Sequence, residues 1–243
     1  MKTIDLNADI GESMPYDEEI LKYVSSCNIA CGGHIGDETS ILKTIDLAIQ
    51  NQVKIGAHPS YPDQSNFGRI SVDISIEKLL SSIDKQLKLF EKCIKKRNSN
   101  WSHIKFHGAL YNDLIIDKEK SIAIANYLKR EYSDKILFIP PNSEIKRIAS
   151  KTLKTKIEGF ADRAYNSDLS LLSRRLPNAV LNDKETVINQ VKLLVINGKV
   201  RTIEGLTKQL KVETICLHGD TPKALELIKE IVKVLKEKEI SIQ

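Results

Sequence analysis

The chain is short of the features that mark several large protein classes. Only 5% of its 243 residues are Phe, Trp or Tyr, and no apolar stretch is long enough to span a bilayer. The N-terminal residues contain no basic region followed by an apolar signal core. We therefore expect a cytoplasmic protein that contains no membrane segment.

Cysteine pairs typical of structural zinc are also missing. The chain has four cysteines, and only Cys27 and Cys31 lie close together, with three residues between them. Structural zinc sites usually use two residues between paired cysteines and need a second pair. We expect reduced, packed thiols.

One nucleotide-binding motif and one motif for a catalytic serine are absent as well. No Gly-x4-Gly-Lys-Ser/Thr phosphate loop and no Gly-x-Ser-x-Gly elbow occurs. The net charge of +5 comes with lysines spread along helix-like segments, and no nucleic-acid-binding motif accompanies them. We expect no nucleic-acid partner.

Four of the five histidines share one local setting. His34, His58, His107 and His218 each follow or end a short apolar run and stand beside Gly or Pro. Such a run closed by a turn former is typical of a buried strand that leaves a sheet. In parallel α/β folds the carboxyl ends of the strands carry the chemistry, so these histidines are candidate catalytic residues.

Acidic and basic residues occupy two further strand ends. Asp9 and Glu12 close the first strand-like run, where Asn7 shares a face with Asp9. Asp162 and Arg163 close a later one. Imidazoles and carboxylates at one rim suit acid–base work, and paired guanidinium donors bind carboxylate or phosphate.

The order of elements predicts the fold. Strand-like and helix-like segments alternate along the chain, which favours a parallel sheet with right-handed crossovers. About seven units occur, one fewer than the usual eight of a (β/α) barrel. We predict that residues 1–243 form a single domain, an incomplete TIM-like α/β barrel of about seven strands. Residues 162–182 are irregular and polar, which at that length indicates a functional loop.

Several ordered segments resemble the LamB/YcsF family, whose members are also called PxpA, the A-component of 5-oxoprolinase. The matching segments are 5–12, 28–34, 56–63, 67–69, 107–112, 160–165 and 216–220. The resemblance implies a barrel of the glycoside hydrolase/deacetylase type. It also implies an ATP-dependent hydrolase, completed by subunits B and C (PxpB and PxpC), that opens 5-oxo-L-proline to L-glutamate while ATP becomes ADP and phosphate.

Together, the motifs and the resemblance give a set of candidate site residues. The catalytic candidates are Asp9, Glu12, His34, His58, His107, Asp162 and His218. The substrate-binding candidates are Arg69, Arg163, Asn7 and Tyr111. The fifth histidine, His103, precedes its strand and is expected to be structural or exposed. Gly33, Phe106 and Leu169 depart from the common family pattern and bear on fine substrate preference only.

Two alternatives remain open at this point. The chain suits a stand-alone metal-dependent deacetylase or amidohydrolase with Asp9, His34 and His58 as ligands of a divalent metal, since one Asp and two His form a plausible hydrolytic set. It also suits a non-catalytic subunit that captures a small acid.

Overall fold

The computed structural model describes residues 2–243, and ten strands and eight α-helices are named below. The strands are β1 Lys2–Ile10, β2 Ser26–Ala30, β3 Lys54–His58, β4 His103–Lys105, β5 Ile136–Ile139, β6 Lys154–Phe160, β7 Lys199–Arg201, β8 Thr207–Gln209, β9 Thr214–Cys216 and β10 Ile240–Ile242. The helices are α1 Asp17–Ile20, α2 Glu38–Gln50, α3 Ile76–Lys96, α4 Gly108–Ile116, α5 Lys118–Glu131, α6 Glu144–Ala149, α7 Lys184–Lys192 and α8 Ala224–Glu237. A π-helical turn, Leu193–Asn197, extends α7.

Seven of the strands form a closed parallel barrel. The ring runs β1-β2-β3-β4-β5-β6-β9, and β9 pairs back onto β1, with Asp5 opposite Thr214 and Asn7 opposite Cys216. The predicted barrel of about seven strands is confirmed. β10 pairs with the first residues of β1, and β7 and β8 form a separate antiparallel hairpin.

Helices cover the outside of the ring and bury one apolar face each. In α3, the buried residues Leu79, Ile83, Leu87, Phe90 and Ile94 recur at helical spacing. Five helix starts carry a polar cap whose side chain accepts a hydrogen bond from the backbone three residues later: Asp37, Ser75, Asp117, Ser143 and Asp183. The apolar core therefore lies between the strands and the helices.

The inside of the ring is polar. Because side chains alternate along a strand, Leu6, Ala8 and Ile10 face the helices, while Asp5, Asn7 and Asp9 face the barrel interior. The interior side chains from different strands hydrogen-bond to one another, as Asn7 does with Glu158 at 3.0 Å. The carboxyl end of this polar interior opens toward the loops that follow the strands.

The structure differs from the sequence prediction at a few elements. β2 ends at Ala30, so His34 lies in the loop beyond the strand and not at its end. Sequence patterning does not predict helix α4, because Gly108 is a turn former and most of the helix is apolar without amphipathic spacing. Among residues 2–243, no helix combines the length and apolar character needed to cross a bilayer.

Candidate active site

Four buried side chains converge where three strands end. Asp9 lies near the end of β1, Glu12 just beyond it, His58 at the end of β3 and His107 two residues after β4. One ligand atom from each of the four lies within 4.8 Å of the others. His58 Nε2 is 3.3 Å from Asp9 Oδ2, and His107 Nδ1 is 3.2 Å from Glu12 Oε1. We call these four residues the rim cluster.

Backbone carbonyl groups fix which ring nitrogens face one another. His58 Nδ1 donates to the carbonyl of Lys105 at 2.8 Å, and His107 Nε2 donates to the carbonyl of Phe67 at 2.9 Å. In neutral rings the other two nitrogens, His58 Nε2 and His107 Nδ1, therefore carry lone pairs. These two atoms are 3.0 Å apart.

The rim cluster consequently gathers acceptors and hardly any donors. Burial opposes ionisation of the Asp9 carboxyl, but a proton on His58 Nε2 and the charge of Lys105 more than offset it, so its pKa lies well below the ordinary value. Burial lowers the pKa of His107, which keeps that ring neutral at neutral pH. Anionic oxygens and lone pairs held this close require a cation between them, either a proton or a metal ion.

His34 lies next to the rim cluster but outside it. Its Nε2 is 3.1 Å from Glu12 Oε1, its Nδ1 is 3.0 Å from Ser60 Oγ, and its ring stacks on His107 at 3.7 Å. Burial lowers its pKa to about 4, so the ring is neutral and donates to Glu12. The metal set predicted from sequence, Asp9 with His34 and His58, thus differs from the geometry: Glu12 and His107 occupy the place expected for His34, which orients Glu12.

A second acid–imidazole pair faces the rim cluster. Asp162, which follows β6, contacts His218 Nδ1 at 3.0 Å and accepts a hydrogen bond from the Thr221 hydroxyl. Burial opposes ionisation of Asp162, but His218 and Thr221 outweigh it and lower the pKa to about 2. The anionic Asp162 fixes a proton on His218 Nδ1, which leaves Nε2 for acid–base work. A nitrogen of His218 lies within 4.8 Å of an Asp9 oxygen.

The rim cluster and His218 border one cavity of about 700 Å³. Lys105 and Phe160 also line it. So do four arginines: Arg69, Arg163, Arg174 and Arg175. The cavity therefore combines acid–base groups with positive charge.

A close backbone contact holds the cavity loops together. Gly108 has φ +56°, and a Cβ built there would lie 2.4 Å from the carbonyl oxygen of Gly68. That carbonyl accepts from Ala109 N at 2.8 Å. Only glycine permits this approach, which packs the loop carrying Phe67 and Arg69 against His107.

The predicted substrate-binding residues divide into two groups. Arg69 and Tyr111 line the cavity. Arg163 also borders it, but its guanidinium donates to the carbonyls of Ala179 at 3.2 Å and Leu172 at 2.6 Å, so it holds the loop in shape. Asn7 lies deeper, bonded to Glu158 and Thr214, and is not among the cavity-lining residues. These hydrogen bonds give Asn7 a structural role, and its contact with substrate stays a prediction.

Lys105 was missed by the sequence reasoning. Its ammonium group is buried and lies 2.8 Å from Asp9 Oδ1, 3.0 Å from Glu158 Oε1 and 3.0 Å from Cys216 Sγ. Its carbonyl also fixes the His58 tautomer. The available signal was the alternation of His103 and Lys105, which places both on the inner face of β4.

Comparisons with known proteins agree over nearly the whole chain. The model of the LamB/YcsF family matches residues 4–243. A protein of Pyrococcus horikoshii, named as the A-component of 5-oxoprolinase, is 41% identical over 98% of this chain and 96% of its own length. One of the same name from Campylobacter jejuni subsp. doylei is 43% identical over 100% and 97%.

Solved structures show the same fold. The lactam utilization protein of Thermus thermophilus superposes with a TM-score of 0.91 at 32% identity, over 100% of this chain and 99% of that one. A family 4 carbohydrate esterase of Streptomyces lividans superposes with a TM-score of 0.50 at 10% identity, over 99% and 91%. The second likeness concerns the fold alone.

Proposed function

The chain belongs to the LamB/YcsF family, and from that premise we propose that it is the A-component of an ATP-dependent 5-oxoprolinase. The complex hydrolyses the lactam of 5-oxo-L-proline to L-glutamate while ATP becomes ADP and phosphate. The observation that carries the proposal is the rim cluster facing the Asp162–His218 pair across one cavity. Hydrolysis of an amide needs a site that takes a proton from water and a site that gives one to the leaving nitrogen.

The residues divide that work between them. Asp9 Oδ1 is occupied by Lys105 and Asn28, both at 2.8 Å, which leaves Oδ2 to face the cavity beside Glu12. These carboxylates accept a proton from the attacking water. His218 enters this step protonated on both ring nitrogens, a form that Asp162 stabilises, and Nε2 gives its proton to the ring nitrogen as the bond to the carbonyl carbon breaks. The proton that the carboxylates took from water then restores the charged His218.

The rim cluster fits a divalent metal ion. Two carboxylate oxygens and two imidazole lone pairs, oriented by carbonyls, form an oxygen and nitrogen set of the kind that hydrolytic metals prefer. Asp9, Glu12, His58 and His107 would hold the ion, with His34 orienting Glu12. When bound there, a metal supplies Lewis-acid polarisation of a carbonyl oxygen.

ATP belongs to the complex in this proposal. The lactam is a stable amide, and phosphoryl transfer to its carbonyl oxygen makes the carbon a better electrophile. The chain has no phosphate-loop motif, so we place activation with subunits B and C (PxpB and PxpC). Water addition and cleavage of the carbon–nitrogen bond then take place in this cavity, inside the cytoplasm, and give the acyl phosphate of glutamate. A second water molecule hydrolyses that acyl phosphate to L-glutamate and phosphate.

Reconstitution tests the proposal. The chain is mixed with subunits B and C, and glutamate release from 5-oxoproline is followed with and without ATP. We expect turnover only with all three proteins and ATP, and a loss of about 10²-fold or more for His218→Asn, because the proton donor is removed. Absence of turnover in every combination, or full activity of His218→Asn, contradicts the proposal.

A second candidate is a metal-dependent amidohydrolase that acts alone, which the four-ligand geometry of the rim cluster favours. Metal analysis of the purified chain and amide hydrolysis without ATP separate the two. Stoichiometric metal with hydrolysis that needs neither ATP nor partners supports this second candidate. Stoichiometric metal with strict dependence on ATP and partners supports the first.

A further inference from the structure

Two arginines on the cavity wall share one carboxylate. Arg69 Nη2 forms an ion pair with Asp220 Oδ2, and Arg174 Nη1 lies 3.3 Å from the same oxygen. Arg69 comes from the loop after β3 and Arg174 from the loop after β6, so the contact joins segments distant in sequence. We call Arg69, Arg174 and Asp220 the arginine clamp.

The clamp carries more positive than negative charge. Asp220 compensates one of the two guanidinium groups, and within residues 2–243 no other ion pair of Arg69 or Arg174 occurs. Burial and then the nearby Arg174 lower the pKa of Arg163 to about 10, so it is still charged at neutral pH and adds to the excess. Like charges held together at a cavity wall attract an anion, which relieves their mutual repulsion.

The two arginines of the clamp line the cavity, whereas Asp220 is not among the lining residues. Their side chains keep 37% and 26% exposure, against 15% for Asp220. Each guanidinium has five N–H donors, and the contact with Asp220 uses only part of them. The remaining donors are available to a ligand.

Short connections fix the clamp relative to the catalytic groups. The guanidinium of Arg69 lies 4.9 Å from the Phe67 ring, and that ring is 5.5 Å from the ring of His107. Asp220 follows His218 by two residues, and Thr221 donates to Asp162. The clamp thus lies within one small molecule's reach of both catalytic groups.

The geometry points to the arginine clamp as the binding site for the carboxylate of a small acid, with its amide carbonyl directed to the rim cluster. This inference rests on the proposed function, whose substrate carries one carboxylate and one lactam. Guanidinium groups bind a planar carboxylate through paired, charge-assisted hydrogen bonds. Asp220 serves as a positioning residue that keeps the two guanidinium groups adjacent before the substrate arrives.

Calorimetric titration of the full chain tests the clamp. The titrants are 5-oxo-L-proline, its analogue 2-pyrrolidinone, which lacks the carboxylate, and inorganic phosphate. For Arg174→Met we expect the dissociation constant of 5-oxo-L-proline to rise about 10-fold or more, because charge-assisted hydrogen bonds are lost. Arg175→Met is the matched control: it removes one cavity-lining charge that has no contact with Asp220, and we expect a change below about 3-fold.

Four results overturn the clamp. The first is a dissociation constant for Arg174→Met within about 3-fold of the wild type, and the second is equal binding of 2-pyrrolidinone and 5-oxoproline. The third is tighter binding of phosphate than of 5-oxoproline, and the fourth is no binding of 5-oxoproline. Thermal unfolding of each variant identifies any that fails to fold. Arg174→Lys, which keeps the charge without the fork, replaces such a variant and is expected to bind several-fold more weakly than the wild type.

The experiments can contradict the clamp and the proposed function independently of each other. Carboxylate binding that depends on Arg174, combined with no turnover in any reconstituted complex, supports the clamp and contradicts the function. Turnover by the complex that is indifferent to Arg174→Met supports the function and contradicts the clamp.

Discussion

The barrel encloses two groups of buried polar residues that differ in how their hydrogen bonds are matched. Along one chain of interior side chains each donor meets an acceptor: His103 donates to Asn28, Asn28 donates to Asn7, and Asn7 donates to Glu158 and Thr214. The rim cluster instead brings two carboxylates and two imidazole lone pairs together. A chain of donors that meet acceptors holds the fold in one arrangement, whereas acceptors that face one another are stabilised by a cation between them.

Lys105 connects the two regions. Its ammonium group contacts Glu158 in the interior and Asp9 in the rim cluster, at 3.0 and 2.8 Å. Burial opposes the charged form of Lys105. The charges of Asp9 and Glu158 outweigh this effect and raise the pKa of Lys105 well above the usual value. The interior network thus ends in a permanent cation that sets the position of Asp9.

The largest expected difference is between two buried histidines, one from each region. His107→Gln removes a rim lone pair and is expected to lower turnover of the reconstituted complex by about 10²-fold or more. His103→Gln removes an interior imidazole and is expected to lower the free energy of unfolding by about 1–3 kcal/mol while turnover per folded molecule stays within a few-fold. Glutamate release and denaturant unfolding measure the two. Equal losses of turnover in both variants would contradict the division into two regions.

Removal of Lys105 should cost the most stability. Lys105→Met leaves Asp9 and Glu158 buried without their cation, so we expect the free energy of unfolding to fall by about 3–5 kcal/mol. Adding Glu158→Gln removes one of the uncompensated charges and should recover about 1 kcal/mol or more. Urea unfolding of the single and double variants checks this, and purely additive losses would argue against direct coupling.

Acid should weaken the fold through the interior histidine. Burial, reinforced by Lys156 and Lys105, lowers the pKa of His103 from 6.5 to about 3, although Asp5 opposes it. As the pH falls from 6.5 to about 3, the unfolded chain takes up this proton first, so the folded state loses stability over that range. His103→Gln should reduce the slope of unfolding free energy against pH by up to about 1.4 kcal/mol per pH unit. His34→Gln should do so only down to about pH 4. An unchanged slope in both variants would rule out neutral buried rings.

The smallest effects are expected when one of two hydroxyl groups is removed, that of Thr214 in the interior or that of Ser60 beside His34. Thr214→Val removes the acceptor of the 2.7 Å bond from Asn7 and should cost about 1 kcal/mol of stability without a change in turnover. Ser60→Ala removes the partner of His34 and should cost a similar amount, with an additional several-fold loss of turnover. Turnover measured beside thermal unfolding separates them. A loss of turnover in Thr214→Val would show that the interior also takes part in chemistry.

Sequence reasoning identified the strand ends but not the register between them. The runs ending at His58 and Asp162 located two parts of the site, because a strand followed by a turn former is a local signal. Which groups meet is a matter of distances across the ring. His34 and His107 occupy similar sequence settings, yet only His107 joins the rim cluster.

Local sequence patterns also do not show the role of a side chain whose bonding partner is distant in sequence. Arg163 and Arg174 both belong to the loop after β6, and nothing in the sequence shows that the first is used by carbonyls of its own loop while the second meets Asp220. Asn7 shares a face with Asp9, but the depth of the barrel separates them by one layer. Lys105 was overlooked since a lysine in a short strand usually reaches solvent.

The closure of the ring has a consequence for how the molecule acquires its fold. The hydrogen bond from Asn7 to Thr214 joins residues 207 positions apart, so the strand pair that closes the barrel, β1 with β9, connects distant parts of the chain. Contacts of such long range slow folding, because a large loop must be closed before they are gained. Asp9 sits on β1, whose two neighbours in the ring are β2 and β9, and His218 follows β9 directly. During synthesis, the ring around Asp9 can therefore close only after β9 has emerged, and His218 joins the rim at that same late stage.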